Sequence, residues 1–212
     1  MKIFNLKWLV IAFICVFGLT SCSGFGSRHE ELSEEARQEA RNQVPCIVAL
    51  PVIADVHSDE SITYDKAASL EDGAVFMDQQ LAEALRGRDN IRFLSQRQLM
   101  SLLPEDDVAR GALLERIGSL LKCNAVLETT ISRYTQREGG EYGADSPASA
   151  TFTMKISRTD DGSVIWATTF RETQESLMSN IMSAHKYGLR WLTVEELVTM
   201  GINEKVEQCP YF

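Results

Sequence analysis

The chain has 212 residues, 44% hydrophobic and 24% charged, the balance of a folded protein with one ordinary domain or two small ones. Thirty acidic side chains against 21 basic give a net charge of -9, which argues against a phosphate-backbone binder, so nucleic acid is not expected as a partner. No run of 18 or more apolar residues follows the N-terminal segment, so no spanning helix is expected in the processed chain.

Lys2 and Lys7 make the extreme N-terminus positive. Trp8 to Leu19 then forms an apolar run of 12 residues, too short to cross a bilayer and suited to the core of an export signal. Leu19-Thr20-Ser21-Cys22 follows: an aliphatic residue, two small residues and a cysteine. This resembles the lipobox of bacterial lipoproteins. In that family a diacylglycerol is attached to the cysteine sulfur, the peptide is cut just before it, and the new amino group is acylated. The resemblance implies a signal peptide over 1–21 and a palmitate-type lipid on Cys22. Ser23, rather than an aspartate, follows the cysteine. By the sorting rule of diderm bacteria this implies the outer membrane, with the domain facing the periplasm. Cleavage removes two lysines and no acid, leaving a net charge of -11. Such a surface is repelled by anionic head groups, so the acyl chains are the anchor.

Residues 23–29 are small and tether-like, and 31–43 are rich in helix formers with almost no apolar face, which reads as a solvated helical spacer. The folded domain is expected to begin near Val44. Cys46 to Ile53 is a continuous apolar run of strand length, fit for a strand covered on both faces. A polar connection over 54–69 precedes a helix whose buried stripe is Leu70, Ala74, Met77, Leu81, Ala84 and Leu85, ending near Gly87. Ile91 to Leu94 is a short strand. Ser95 with Gln98 forms a capping box for a helix running to about Leu103. Pro104 interrupts, and Asp106 or Asp107 caps the next helix, with Val108, Ala112, Leu113, Ile117, Leu120 and Leu121 expected inside.

Ala125 to Tyr134 is rich in β-formers. Ala150, Phe152, Met154 and Ile156 alternate with polar residues, a half-buried strand. Asp161-Gly162 is a hairpin turn, and Val164 to Phe170 returns. Gln136 to Pro147, between these strands, is a glycine-rich loop. Leu177, Ile181 and Ala184 share a helix face, and Thr193 with Glu196 caps a last helix that Gly201 ends. Trp166 is expected in the core. The terminal Tyr211-Phe212, with Trp191-Leu192, is expected to pack back on the domain. The fold class is α/β, on the border of α+β. One mixed sheet has the order β-α-β-α-α-β-β-β, flanked by helices and followed by a helical C-terminal extension.

The segments IVALPV, LAEALRG, IRFLSQRQLMSLL, LLKCNAVLETTISRY and DDGSVIWATTF, within residues 44–172, resemble the N-terminal domain of TolB. Close in pattern are the curli-secretion lipoprotein and the lipoprotein activators of penicillin-binding proteins. The resemblance implies an α/β domain over 44–172 and a helical extension over 173–212. This chain departs from the group in three ways. Only 40 residues follow position 172, too few for the TolB β-propeller. The 136–147 loop is too short for membrane-inserted hairpins, whose strands need ~9–11 residues. Cys123-Asn124-Ala125 stands where the group has a Gly-Ala pair.

There is no phosphate loop, no G-x-S-x-G and no C-x-x-C, and no cofactor is expected. The only local polar cluster is Asp55, His57 and Asp59, after the first strand, where open α/β sheets bind ligands. Its spacing matches no metal signature, so it reads as a solvated loop and no metal is expected. Cys46, Cys123 and Cys209 remain after processing, in an oxidising compartment. The possible pairings are 46–123, 46–209, 123–209 or none. Cys46 and Cys123 each open a strand and share a sheet edge if those strands are neighbours, but Cys46–Cys209 is favoured, because chain termini often lie close and Cys123 follows an apolar helix end suited to burial. The expected function is a non-catalytic, lipid-anchored accessory or interaction module of an outer-membrane envelope machine, with an envelope protein as partner. The alternatives are a subunit of an oligomeric curli-type channel and a metal-dependent enzyme built on Asp55, His57 and Asp59.

Overall fold

The computed structural model describes residues 33–56, 62–102, 110–174 and 190–212. The export signal, the 23–29 tether, the 106–107 cap and the helix expected around Leu177 lie outside them.

The chain enters through α1 (Glu34–Gln43), capped by Ser33, whose side chain accepts from the Ala36 N–H. Val44, next in line, is fully buried. β1 (Ile47–Ala49) and β2 (Ile53–Ala54) are two pieces of what the sequence suggested was one strand. Pro51 lies between them and has no N–H to give the ladder. The pairing with β4 (Ala125–Thr135) slips by one residue across this break, from Ile47↔Ala125 to Ile53↔Thr130. The Val52 N–H, turned out of the ladder, is taken by the Asp78 carboxylate at 2.8 Å.

α2 (Tyr64–Ala84) buries Leu70, Ala74, Met77 and Leu81, the stripe read from the sequence. It begins one and a half turns earlier than the periodicity indicated, because its first turn, Tyr64 to Lys66, is exposed and carries no apolar stripe. β3 (Ile91–Phe93) pairs parallel with β1. α3 (Gln96–Leu102) carries the expected box, with the Ser95 N–H donating to Gln98 Oε1 at 2.9 Å and the Gln98 N–H donating to Ser95 Oγ at 3.3 Å. α4 (Arg110–Leu121) buries Leu114 and Ile117, while Ala112 and Leu120, expected inside, face solvent. With five leucines or isoleucines in two turns, periodicity alone does not set the rotation of this helix.

β5 (Glu138–Gly139) and β6 (Ala144–Ser146) pair as a small ribbon inside the expected loop. β7 (Ser149–Arg158) and β8 (Val164–Thr173) complete the main sheet in antiparallel fashion. Its order is β3-β1-β4-β7-β8, with β2 beside β4. This is the mixed sheet of an α/β fold bordering on α+β, with five helices and eight strands among the described residues.

α5 (Val194–Gln208) lies with α2 on one face of the sheet, over Ile47, Leu127, Phe152 and Met154. α3 and α4 cover part of the other face, over Val48, Leu50 and Val126. Thr193 and Glu196 form the expected capping box. Gly201 is not a C-terminal stop: α5 runs seven residues beyond it. The glycine is there for space, since a Cβ would sit 2.9 Å from the Phe170 ring, itself stacked on Phe152 at 5.0 Å. Helix propensity favours Gly201→Ala by about 1 kcal/mol. The overlap with a ring that has no room to retreat outweighs this. The variant is expected to lose about 1–2 kcal/mol in urea unfolding; a gain in stability would contradict the packing.

Candidate functional site

The two ends of the sheet differ in kind. At the amino ends of β1 and β4 lies a disulfide between Cys46 and Cys123. It is not the Cys46–Cys209 pair favoured from the sequence. Cys46 and Cys123 belong to the apolar cluster under α4, whereas Cys209 is buried in the cluster under α2 and α5, so the sheet separates them. Cys46 stands one residue before β1 and Cys123 two residues before its neighbour β4, which brings their Cα atoms to 4.7 Å. Cys209 is free; burial pushes its thiol up to about 12, so it is an inert core residue.

At the same end the C-terminal segment is fastened. Arg37 Nη2 donates to the Glu207 carbonyl at 2.7 Å and Arg41 Nη1 to the Phe212 carbonyl at 3.2 Å. Asn90 Nδ2 donates to the Tyr211 carbonyl at 2.9 Å. Phe212 is buried with its ring edge-on to Trp166, 6.0 Å between centroids. The tail packs back on its own domain, as expected. α1 buries none of its residues, yet it is not a free spacer: its arginines grip the tail.

Among the described residues the carboxyl end carries two clefts. The larger, about 500 Å³, lies between the first turns of α2 and the end of β4, with Asp55, Asp65, Lys66 and Gln136 on its wall. Tyr134 stands beside it, its ring packed so tightly on α2 that a Cβ at Gly73 would come within 2.7 Å. Burial, then the charge of Glu195, pushes the Tyr134 hydroxyl well above its ordinary range. Burial also acts to raise Glu195, but hydrogen bonds from its own backbone N–H and from Gln136, Thr193 and Tyr134 outweigh it and hold the carboxyl below the ordinary value. Gln136 in turn accepts from the Val194 N–H at 3.1 Å and donates to Glu195 at 2.9 Å. These groups splice the end of β4 to the start of α5, a structural task.

The smaller cleft, about 410 Å³, opens beside β1 where β3 ends. Leu50, Pro51, Phe93 and Leu94 line it, and Asp78 projects into it from α2. It sits where the chain, having crossed one face to reach β3, crosses the other to reach β4, the point at which such sheets open a crevice.

Of the residues singled out from the sequence, Asp55 reaches the larger cleft, its N–H donating to the Ile131 carbonyl at 2.8 Å. His57 and Asp59 lie outside the described residues, as do Cys22, His29 and His185. Among the described residues no group of three or more His, Cys, Asp and Glu is placed to hold a metal ion. Sequence reading missed Asp78. Its signal was a lone acid on the inner half of an apolar helix stripe, one residue after Met77.

The chain matches no family model and no curated protein. Similar solved structures include the PelC dodecamer from Paraburkholderia phytofirmans, at 11% identity over 77% of this chain and 85% of that one, with a TM-score of 0.42. Lipoprotein GNA1162 from Neisseria meningitidis has 13% identity over 76% of this chain and 96% of that one, with a TM-score of 0.39. The C-terminal domain of LpoB from Escherichia coli has 14% identity over 66% and 96%, with a TM-score of 0.34.

Proposed function

We propose that this protein is a lipid-anchored, periplasm-facing accessory module of an outer-membrane envelope machine, acting by docking a protein partner rather than by catalysis. In this reading residues 1–21 are removed, Cys22 carries the lipid, 22–43 are the tether, 44–172 the domain and 173–212 its helical extension. The observation that carries it is the polarity of the fold. The chain enters through α1 at the amino end of the sheet, while the two larger clefts among the described residues open at the carboxyl end; a third, about 370 Å³, lies at the amino end beside Cys123 and Thr159. An anchor at one end leaves the opposite end free for a partner. From Cys22 to Ser33 the chain advances 11 residues, at most about 40 Å when extended, so the domain is held close to the bilayer. Confinement at that range raises the effective concentration of the domain for any partner in the same membrane. The Cys46–Cys123 disulfide suits an oxidising compartment such as the periplasm.

A channel subunit has less support. The β5–β6 ribbon has strands of two and three residues, far short of the ~9–11 a membrane-spanning strand requires.

The test is fractionation of cells expressing Cys22→Ala. The unmodified protein is expected in the outer-membrane fraction and the variant, without acyl chains, outside it. Retention of the variant in the outer membrane after a high-salt wash refutes the lipid anchor.

A further inference from the structure

The smaller of the two carboxyl-end clefts has a chemical pattern that points to its occupant. Its walls are mostly apolar, formed by Leu50, Pro51, Leu81 and Leu94, with Ser95, Gln96 and Gln98 along one side, and Phe93 at its mouth keeps 45% of its surface in water. Within it stands one carboxylate. Among the described residues Asp78 receives one hydrogen bond, from the Val52 N–H at 2.8 Å, and meets no cation. A carboxylate offers about four lone-pair sites, and one N–H leaves most of them open. Burial pushes the Asp78 carboxyl above its ordinary value, the direction expected of an acid kept from water without a positive neighbour.

We propose that this cleft docks a lysine or arginine side chain of a partner polypeptide, with the cationic head on Asp78 and the aliphatic stem along Pro51, Leu50 and Phe93. Long cationic side chains have this two-part character, an apolar stem and a charged tip, and no other natural side chain matches apolar walls around a lone acid as well. Phe93 adds the face of an aromatic ring at the entrance, favourable to a passing cation. A metal ion is a poor fit, since one carboxylate supplies too few ligands. The net charge of -11 expected after processing steers basic partners toward the domain. The proposal rests on the accessory reading and gives the partner's contact a chemistry.

The experiment uses the mature lipidated protein in a non-ionic detergent, labelled for amide NMR. The probes are the N-acetyl methylamides of lysine, arginine, norleucine and glutamate, added to millimolar concentration. Lysine and arginine probes are expected to shift the Val52 and Leu94 amides saturably, with the norleucine probe at least about tenfold weaker and the glutamate probe silent. Asp78→Asn keeps an oxygen for the Val52 N–H and removes the charge. It is expected to fold with an unchanged urea midpoint and to lose the preference for the cationic probes. Equal shifts from lysine and norleucine probes, a cationic preference that survives in Asp78→Asn, or no shift by any probe each overturns the proposal. None of these outcomes touches the lipid anchor, which the Cys22→Ala fractionation tests separately.

Discussion

Replacing Cys46 and Cys123 together by alanine is expected to cost the domain about 3–4 kcal/mol, a large share of a total stability of ~5–15 kcal/mol. The two cysteines are 77 residues apart in sequence, so the bond closes a long loop and removes many conformations from the unfolded chain. Loop entropy alone gives about 4–5 kcal/mol for a loop of this size, and measured effects usually fall somewhat below that figure. The check is urea unfolding with and without reductant. Reductant should lower the midpoint of the unmodified protein and leave that of the double variant in place. Cys209→Ala should preserve the sensitivity to reductant, because its thiol takes no part in the bond. A midpoint indifferent to reductant in the unmodified protein would show that the bond is not formed there.

Leu81→Asp is expected to be the most damaging single change on α2. Leu81 is 2% exposed and points into the cluster shared by β1, β4 and α5. The substitution removes a buried aliphatic group and puts a carboxylate in its place without a partner, a cost of about 4 kcal/mol or more. Glu83, two residues on, faces water and pairs with Arg86 on the helix surface. Glu83→Ala should therefore change stability by less than about 0.5 kcal/mol. Chemical denaturation of the two variants side by side is decisive: similar midpoints would mean that the faces of α2 are exchanged.

The core of the fold was legible because its signals are local. The alternation from Ala150 to Ile156 named the inner face of β7, and the steps from Leu70 to Leu81 named the inner face of α2. The capping boxes at Ser95 and Thr193 were read residue for residue. What escaped depends on distant neighbours. Gly201 looked like a helix stop because its true reason, the Phe170 ring, lies about 30 residues away in sequence. Pro51 was absorbed into an apolar run, since hydrophobicity alone does not register a missing N–H. The cysteine pairing turned on which face of the sheet each residue takes, and Cys209 approaches from the face opposite to Cys46. The smaller cleft was invisible for the same reason: Asp78 and Phe93 meet only after β1 and β3 have paired.

The position of the disulfide also decides how the domain carries force. Under the proposed anchoring and docking, a pull between membrane and partner would enter along α1 and reach Cys46, the residue just before β1. There the load divides. One path continues into β1; the other crosses the sulfur bridge to Cys123 and enters β4, a long strand held by β1 and β2 on one side and β7 on the other. Tension is thus spread over the middle of the sheet before the short three-residue β1 bears it alone. The arginines of α1, gripping the carbonyls of Glu207 and Phe212, tie the last helix into the same junction. The covalent bridge and these contacts make the amino end of the sheet a reinforced footing; under the proposed anchoring, strain imposed by a partner would be borne there rather than at the clefts of the carboxyl end.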